Sequence, residues 1–491
     1  MNELQTDVVV VGAGASGIGA SLAASENGGK VILLEKGDKF GGAGMFGAQG
    51  LFAAGSKLQK QDGIDYSPSD AYKEMLNYTH YRSNTRLTKA IINKSADTID
   101  WLAKNGLQTE LVNNTQEVHQ VHPRVYHQYI DKFDGFQKLM NNFTNNGGQL
   151  LTKTVVESIN YSADNLIKLI INQDGNSKQI TCSKVIFSDG GYVGNQEMVD
   201  KYLTINSKDL YSMGERKATG DGIKMLTELG ADNSGLGVFE NHAASVVSKT
   251  DPKWHNNTIF SLTNLPFLWL NRRGERFVNE DIVYDFALWG NTTYTNGGYY
   301  YFVLDQPTID YLKNNQLNWT DSFERTFKTL SHDPMTHAVG PFENIDSDLQ
   351  EAIDQGAAVC GESIEDLAEK LNLDPTILEK NFEQYNHVVS EKDDSDFGKD
   401  SEFLKFNVSK APFYAVKAQS TTLGTIGGIS VDDKLHALKT DGQVLPNLFV
   451  TGNNASGMYD TSYPTLEGIS CAFAWNSGRI AGETAVNELK N

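Results

Sequence analysis

A chain of 491 residues is longer than one compact core accommodates, which implies two or three domains. Hydrophobic residues at 39%, with 45 glycines and 11 prolines, give the composition of a globular enzyme rich in tight turns. The formal charge of −20 is spread along the chain, and so acidic a surface excludes nucleic acid, whose phosphates need clustered Lys and Arg.

The three cysteines, Cys182, Cys360 and Cys471, are isolated. They make neither a disulfide framework nor a metal-site spacing, they are too few for an iron–sulfur cluster, and no CxxCH provides for covalent haem. This usage reads as cytoplasmic. Residues 8–25 carry no charge, yet they follow Asp7 rather than a basic leader and are rich in glycine. Neither a signal peptide nor membrane insertion is expected.

From the N-terminus, Asp7–Val11 predicts a buried strand, Ser16–Ser25 a small-residue helix and Val31–Leu34 a second strand. "GDKFGGAGMFGAQG" (37–50) reads as a loop that a ligand orders, and residues 68–105 have helical periodicity. A hairpin turning at Asp174–Gly175 leads into a buried strand ending at Gly190–Gly191. "ATGDGIKMLTELGA" (218–231) predicts a glycine turn and a helix. Residues 239–350 are aromatic-rich with few clean helices, while 362–389 are helical again, with Asp374 as a cap and Pro375 at the first helical position. From 423, "LGTIGGISVDD", "LFVTGN" (448–453) and a helix over roughly 469–487 return to the strand–glycine–helix texture of the start. The fold expected is α/β: a Rossmann-like cofactor domain of residues 1–238 and 423–491, interrupted by an inserted α+β cap over 239–422.

"GAGASG" fits G-x-G-x-x-G between two apolar strands. Gly12 permits the tight turn, and Gly14 lets a pyrophosphate approach Ala15 and Ser16 at the helix N-terminus. Gly17 lets the helix pack on the sheet. Glu35 follows Gly17 by 18 residues, where it can accept from ribose hydroxyls, with Lys36 beside it. The chain then departs through Gly41, Gly42, Ala43 and Gly50 and completes its sheet only near the C-terminus. That plan suits FAD, a long molecule needing a distant second contact. Gly452, Asn453 and the helix start at Gly468–Ile469 are candidates for that contact, and Gly190 and Asp221, at their own glycine turns, complete the candidate cofactor set. No second G-x-G-x-x-G exists, which argues against a built-in NAD domain.

Together, "DVVVVGAGASGIGASLAASENGGKVILLEK", "ATGDGIKML", "NRRGERFVNE" and "SGRIAGE" resemble the flavoprotein family of succinate dehydrogenase and fumarate reductase, in its soluble ene-reductase and 3-ketosteroid dehydrogenase-like branch. The resemblance covers nearly the whole chain. It implies a Rossmann-like FAD-binding domain interrupted by a cap, with substrate held between flavin and cap. In the fumarate reductases an arginine four residues after the "FVNE" glutamate delivers the proton; Tyr284 stands there. Their histidine before a "TMGG"-like turn is Gly424 here, and their His-Pro-Thr motif is reduced to His242 in "FENHAA". Their late arginine has no counterpart in "GMYDTSYPTLEG". A small dianion needs a fixed guanidinium fork, so these departures weaken a dicarboxylate reading. The 3-ketosteroid dehydrogenase pattern fits better, with Tyr284, Tyr463 and the Gly468 amide in the corresponding roles and Glu467 as a departure from it.

Hydride addition to a C=C bond needs a neighbouring group to take the developing charge and a proton for the other carbon. Tyrosine, of reference pKa about 10, is protonated at neutral pH and suits that delivery. The resemblance thus assigns Tyr284 as acid/base, Tyr463 with the Gly468 amide as carbonyl-polarising groups, and His242 as an orienting hydrogen bond. Arg276 and Glu280 are expected to pair within the cap, Arg479 to brace the FAD domain, and His122 and His127 are further candidates for the pocket. The leading reading is an FAD-dependent ene-reductase passing hydride from flavin N5 to a C–C bond conjugated to a carbonyl or carboxyl. The alternatives are a 3-ketosteroid dehydrogenase-like enzyme introducing a C=C bond, a fumarate reductase-type dicarboxylate reductase, and a non-catalytic flavin carrier. Without a haem, iron–sulfur or NAD module in the sequence, electrons would come from NADH, reduced flavin or a redox partner protein.

Overall fold

The computed structural model describes residues 3–114, 122–251, 253–319, 322, 339–460 and 466–490. The valine run lies at the centre of an eight-stranded sheet. Strand Glu3–Val11, longer than predicted by four residues, pairs in parallel with Val31–Leu34 on one side and Asn176–Phe187 on the other. Gln149–Leu151 and Val444–Val450 extend the parallel set outwards, and antiparallel His436–Leu438 closes one edge. Val8, Val9 and Val10 are fully buried, so the strand is covered on both faces, which is why it has no alternation in sequence.

Helix Ala15–Glu26 packs on the C-terminal helix Ile469–Leu489 at backbone contact. A Cβ at Gly478 would stand 2.1 Å from the Ser16 carbonyl oxygen, and one at Gly482 would stand 2.2 Å from that of Ala20. These two glycines of "SGRIAGE", one helical turn apart, therefore bring the helices together. Between them Arg479 is buried and pairs with Asp97 at 3.0 Å, donates to Thr98 and lies over the Trp101 ring, bracing the domain as expected.

The predicted hairpin forms between Ile167–Gln173 and Asn176–Phe187, and Asp174 (φ 48°) and Gly175 (φ 81°) both take the left-handed conformation its two-residue turn requires. The helical stretch 68–105 is two helices, Pro68–Tyr78 and Thr85–Lys104. His80 and Tyr81 at positive φ break it, and Asn84 caps the second helix. The 37–50 loop is more ordered than expected: it holds the short helix Gly42–Phe46 and the strand Gly50–Phe52, which pairs with Tyr126–Ile130.

A six-stranded sheet forms a second layer around the long strand Phe413–Thr425. Antiparallel partners are Phe239–Val246, Tyr299–Asp305 and Ala358–Gly361, and Leu210–Ser212 joins in parallel. The expectation of few helices in 239–350 is corrected: Asn257–Thr263, Phe286–Thr295, Gln306–Asn314 and Ile345–Asp354 all form. Phe286, Trp289, Gly290 and Thr293 recur at i, i+3, i+4 and i+7 on one buried face, but that face carries a glycine and a threonine while Leu288 is exposed on the other, so the stripe is weak in sequence. The 362–389 stretch divides into Ile364–Leu371 and Pro375–Glu391, the latter capped by Asp374 as predicted. The architecture is α/β, a Rossmann-like parallel sheet interrupted by an inserted α+β cap with its own aromatic core.

Candidate active site

The glycine turn is shaped by contacts no side chain would tolerate. A Cβ at Gly17 would fall 1.8 Å from the Gly12 carbonyl oxygen, and one at Gly12 would fall 2.6 Å from that of Ser188. Gly14 is different: a Cβ there would meet nothing within 4 Å, because that side of the turn is the cavity. Gly14 is also the N-cap of helix Ala15–Glu26, and no side chain caps it, so the first-turn N–H groups are presented to a ligand. Glu35 accepts from the amides of Ala13 (3.1 Å) and Gly37 (2.7 Å), which fixes its carboxylate at the end of the second strand. Lys36 reaches across to Asp221 (2.9 Å) and Thr219 (2.7 Å), joining two elements that are 185 residues apart.

A cavity of about 650 Å³ runs from these residues to the C-terminal helix. Of the predicted cofactor residues, Gly12, Gly14, Ala15, Ser16, Glu35, Lys36, Gly42, Ala43, Gly190, Asp221, Gly452 and Asn453 line it. Gly17, Gly41, Gly50, Gly468 and Ile469 do not, and each has a backbone task instead. Gly41 donates to the Ala13 carbonyl, Gly50 packs on His127 of the neighbouring strand, and Gly468 caps the C-terminal helix while accepting from the Phe52 amide. One end of the cavity, at Glu35 with Lys36 and Lys217, suits an adenosine ribose. The turn suits a pyrophosphate. The remaining length, past Gly452 to Ser470, Cys471, Gly424 and Glu240, leaves room for a planar ring system. These residues fit FAD.

That far end includes a group the sequence did not single out. Glu240, on strand Phe239–Val246, is 5% exposed, and among the described residues its Oε1 has no hydrogen-bond partner. Burial raises its pKa to about 7, against the Ser470 hydroxyl, which favours the charged form. A Cβ at Gly424 would sit 3.8 Å from Glu240 Oε2 and 3.0 Å from Asn453 Nδ2, so the glycine leaves space that the carboxyl faces. Just beyond, the strand is irregular between Asn241 and Ala244, and Ala243 takes a left-handed φ of 58°. Strain of this kind gathers at functional sites. Glu240 was missed because a single acid in an aromatic-rich stretch carries no periodic signal; its burial follows from strands far apart in the chain.

The predicted catalytic residues are distributed as follows. Tyr284 ends the 3₁₀ turn Glu280–Tyr284 and is buried in the cap core, its ring 5.5 Å from that of Phe403. His242 lies with its ring 5.0 Å from Phe286, and burial holds its pKa down to about 4, so it is neutral. Neither is among the residues lining the cavity. Tyr463 lies outside the described residues. Arg276 and Glu280 do pair, at 2.8 Å, and Arg276 also forks onto Asp394 at 2.7 Å, with Lys399 3.3 Å from Glu280. All four side chains are buried, so this is a neutral four-charge knot of the cap. His127 is a packed structural residue: it bonds Ser56 and the Val125 carbonyl, and burial holds it to about 4. His122 bonds Glu74 at 2.9 Å, and that hydrogen bond raises it.

The family described as FAD binding domain matches residues 7–470. The chain belongs to this FAD-binding family, in the group of succinate dehydrogenase and fumarate reductase flavoproteins, and is an FAD-dependent oxidoreductase acting on carbon–carbon bonds. Among its relatives, a vinyl phenol reductase of Lactiplantibacillus plantarum is 30% identical, with 98% of this chain and 96% of the relative covered. A probable fumarate reductase of Shewanella frigidimarina is 24% identical, with 98% and 74% covered. The fold of 3-ketosteroid Δ1-dehydrogenase from Sterolibacterium denitrificans superimposes with a TM-score of 0.75 at 17% identity, covering 99% of this chain and 100% of that one. No helix among the described residues is long and apolar enough to cross a membrane.

Proposed function

We propose that the enzyme reduces the C=C bond of a neutral, conjugated small molecule, with a vinyl-substituted phenol or an α,β-unsaturated ketone as the substrate class. One observation carries this: at the far end of the cavity a buried carboxyl, Glu240, lies beside Gly424, Asn453, Ser470 and Cys471, and the described lining residues include a single arginine, Arg216, on the 213–217 stretch against Leu423. A dicarboxylate brought there would meet the buried carboxyl of Glu240, with one arginine among the described lining residues to set against its two charges. The likeness to vinyl phenol reductase supports the same direction.

When bound, FAD supplies the hydride. Around it, Tyr284 is proposed to deliver the proton, Tyr463 and the Gly468 amide to polarise a substrate oxygen, and His242, neutral, to orient the substrate. Rings of Phe286, Trp289 and Phe403 in the cap core around Tyr284 favour an apolar partner over an ion. Domain boundaries near 238 and 422 are supported by the core clusters: the first runs to Phe239 and resumes at Ile426, and the cap clusters fall within 243–418. A cytoplasmic site, and NADH, reduced flavin or a redox partner protein as donor, complete the proposal.

The test is anaerobic. Holoenzyme reduced with one equivalent of dithionite is mixed in a stopped-flow instrument with 4-vinylphenol, a cyclic enone, fumarate and a saturated ketone. Rapid reoxidation by the first two and not by fumarate is expected. Faster reoxidation by fumarate overturns the neutral-substrate reading, and reduction of oxidised enzyme by the saturated ketone reverses the direction.

A further inference from the structure

We propose that Glu240 is the proton-exchanging group of the flavin end of the cavity: its carboxylate takes up a proton when the bound cofactor accepts two electrons, and releases it when the hydride passes to substrate. The inference rests on FAD binding and not on which substrate is reduced.

Three features of position support it. Glu240 lines the cavity at the end away from Glu35, it is nine-tenths buried, and its Oε1 has no partner among the described residues. A buried carboxyl oxygen without a donor costs a few kcal/mol unless a ligand completes it. In addition, Gly424 and the Asn453 amide leave an opening on which the other oxygen, Oε2, faces.

Several titratable groups share the cavity or pack around Glu240. Asp189 is raised by burial but accepts from the Gly222 amide at 2.9 Å and from the Asn454 side chain, so both of its oxygens are partnered. Glu215, Arg216 and Lys217 line the cavity from the stretch that packs on Leu423 and Gly424. On the C-terminal helix, Cys471 is pushed up to about 11 by burial and stays a thiol. Behind it, Tyr129 is raised further by burial and bonds Cys471 at 3.0 Å. Lys132, lowered by burial, is bound to the Ala48 carbonyl and Gln49. On Glu240's own strand, His242 is neutral at about 4. From the helix Phe286–Thr295, Tyr294 is raised by burial and packs on Phe239. The strand Phe413–Thr425 offers only Thr422, Gly424 and Thr425 near this point, none of which is charged.

The proton count balances. An external two-electron donor gives the cofactor two electrons and one proton, and a second proton enters from water onto Glu240, because negative charge arriving beside a carboxylate raises its proton affinity. On the return, hydride goes to one alkene carbon and Tyr284 gives its proton to the other; Glu240 loses its proton to water as the negative charge leaves the cofactor, Tyr284 regains one from water, and Glu240 is again a carboxylate. Each cycle passes two electrons and two protons through the pocket.

The experiment is the pH dependence of the flavin midpoint potential, measured on holoenzyme by dithionite titration against reference dyes, with no substrate present. In the oxidised state the carboxyl ionises at about 7, so the extra proton is taken up only above that pH. From about pH 7 upward the wild-type potential is expected to fall more steeply than that of E240Q, by the extra proton's about 30 mV per tenfold change in proton concentration. The two converge below pH 7, and E240Q has the higher potential at alkaline pH because it lacks the charge. Parallel lines, offset or not, overturn the proposal. Where E240Q does not retain FAD, E240D decides: a shifted break point supports the carboxyl, and an unmoved one places the proton elsewhere. Failure of the substrate screen above leaves this measurement unaffected.

Discussion

The two ends of the cavity are built by different means. At the Glu35 end, recognition is a property of the backbone: glycines at 12 and 17 allow contacts under 3 Å from a would-be Cβ, and amides at the helix start face the ligand. At the Glu240 end, the site is assembled from four separate stretches, around 240, 424, 453 and 470. The first end is local and intolerant. The second is assembled, so one substitution changes its chemistry and leaves the fold in place. This contrast accounts for a family that keeps one cofactor and varies its substrates.

The comparison can be broken most severely at Gly17. Gly17→Val should yield no flavin-loaded protein, because the side chain has nowhere to go but into the Gly12 carbonyl; a normal ratio of flavin to protein absorbance would show that the turn is not rigid. Arg276→Met comes next, since it leaves Glu280 and Asp394 buried with only Lys399 to offset them. A loss of about 3–5 kcal/mol in urea unfolding is expected, and a change under about 1 kcal/mol would mean that the knot contributes little. Tyr284→Phe should keep FAD and fold yet lower turnover roughly 100-fold, the usual worth of a positioned acid. Turnover near wild type would remove Tyr284 from the chemistry and sharpen attention on Glu240. The smallest effect is expected at Gly14→Ala. Its Cβ meets no protein atom, so stability should stay within about 1 kcal/mol while FAD binding to apoprotein, measured by fluorescence quenching, weakens about tenfold, or 1.4 kcal/mol. If stability fell as well, Gly14 would be a packing glycine like Gly17.

Local patterns were legible where they were complete within a few residues. "GAGASG" between two apolar strands, the Asp174–Gly175 turn and the Asp374–Pro375 helix start all stand as read, because each is decided by φ preferences and hydrogen bonds inside one short window. The cap helices were not legible: the buried face of Phe286–Thr295 includes Gly290 and Thr293 while Leu288 is exposed, so its apolar stripe is faint in sequence. The division of 68–105 escaped notice for a related reason, since His80 and Tyr81 adopt positive φ without glycine.

By itself the sequence determined the class of protein: a dinucleotide turn with its acid 18 residues on, a sheet finished at the C-terminus, and an aromatic insertion between. These follow from period, spacing and composition, which the chain carries along its length. Only the tertiary structure decided that Lys36 meets Asp221, that Gly478 and Gly482 bring two distant helices into contact, and that a glutamate at 240 faces the gap left by a glycine at 424. Burial and proximity between residues far apart in the chain are products of packing, and a carboxyl's charge depends on both.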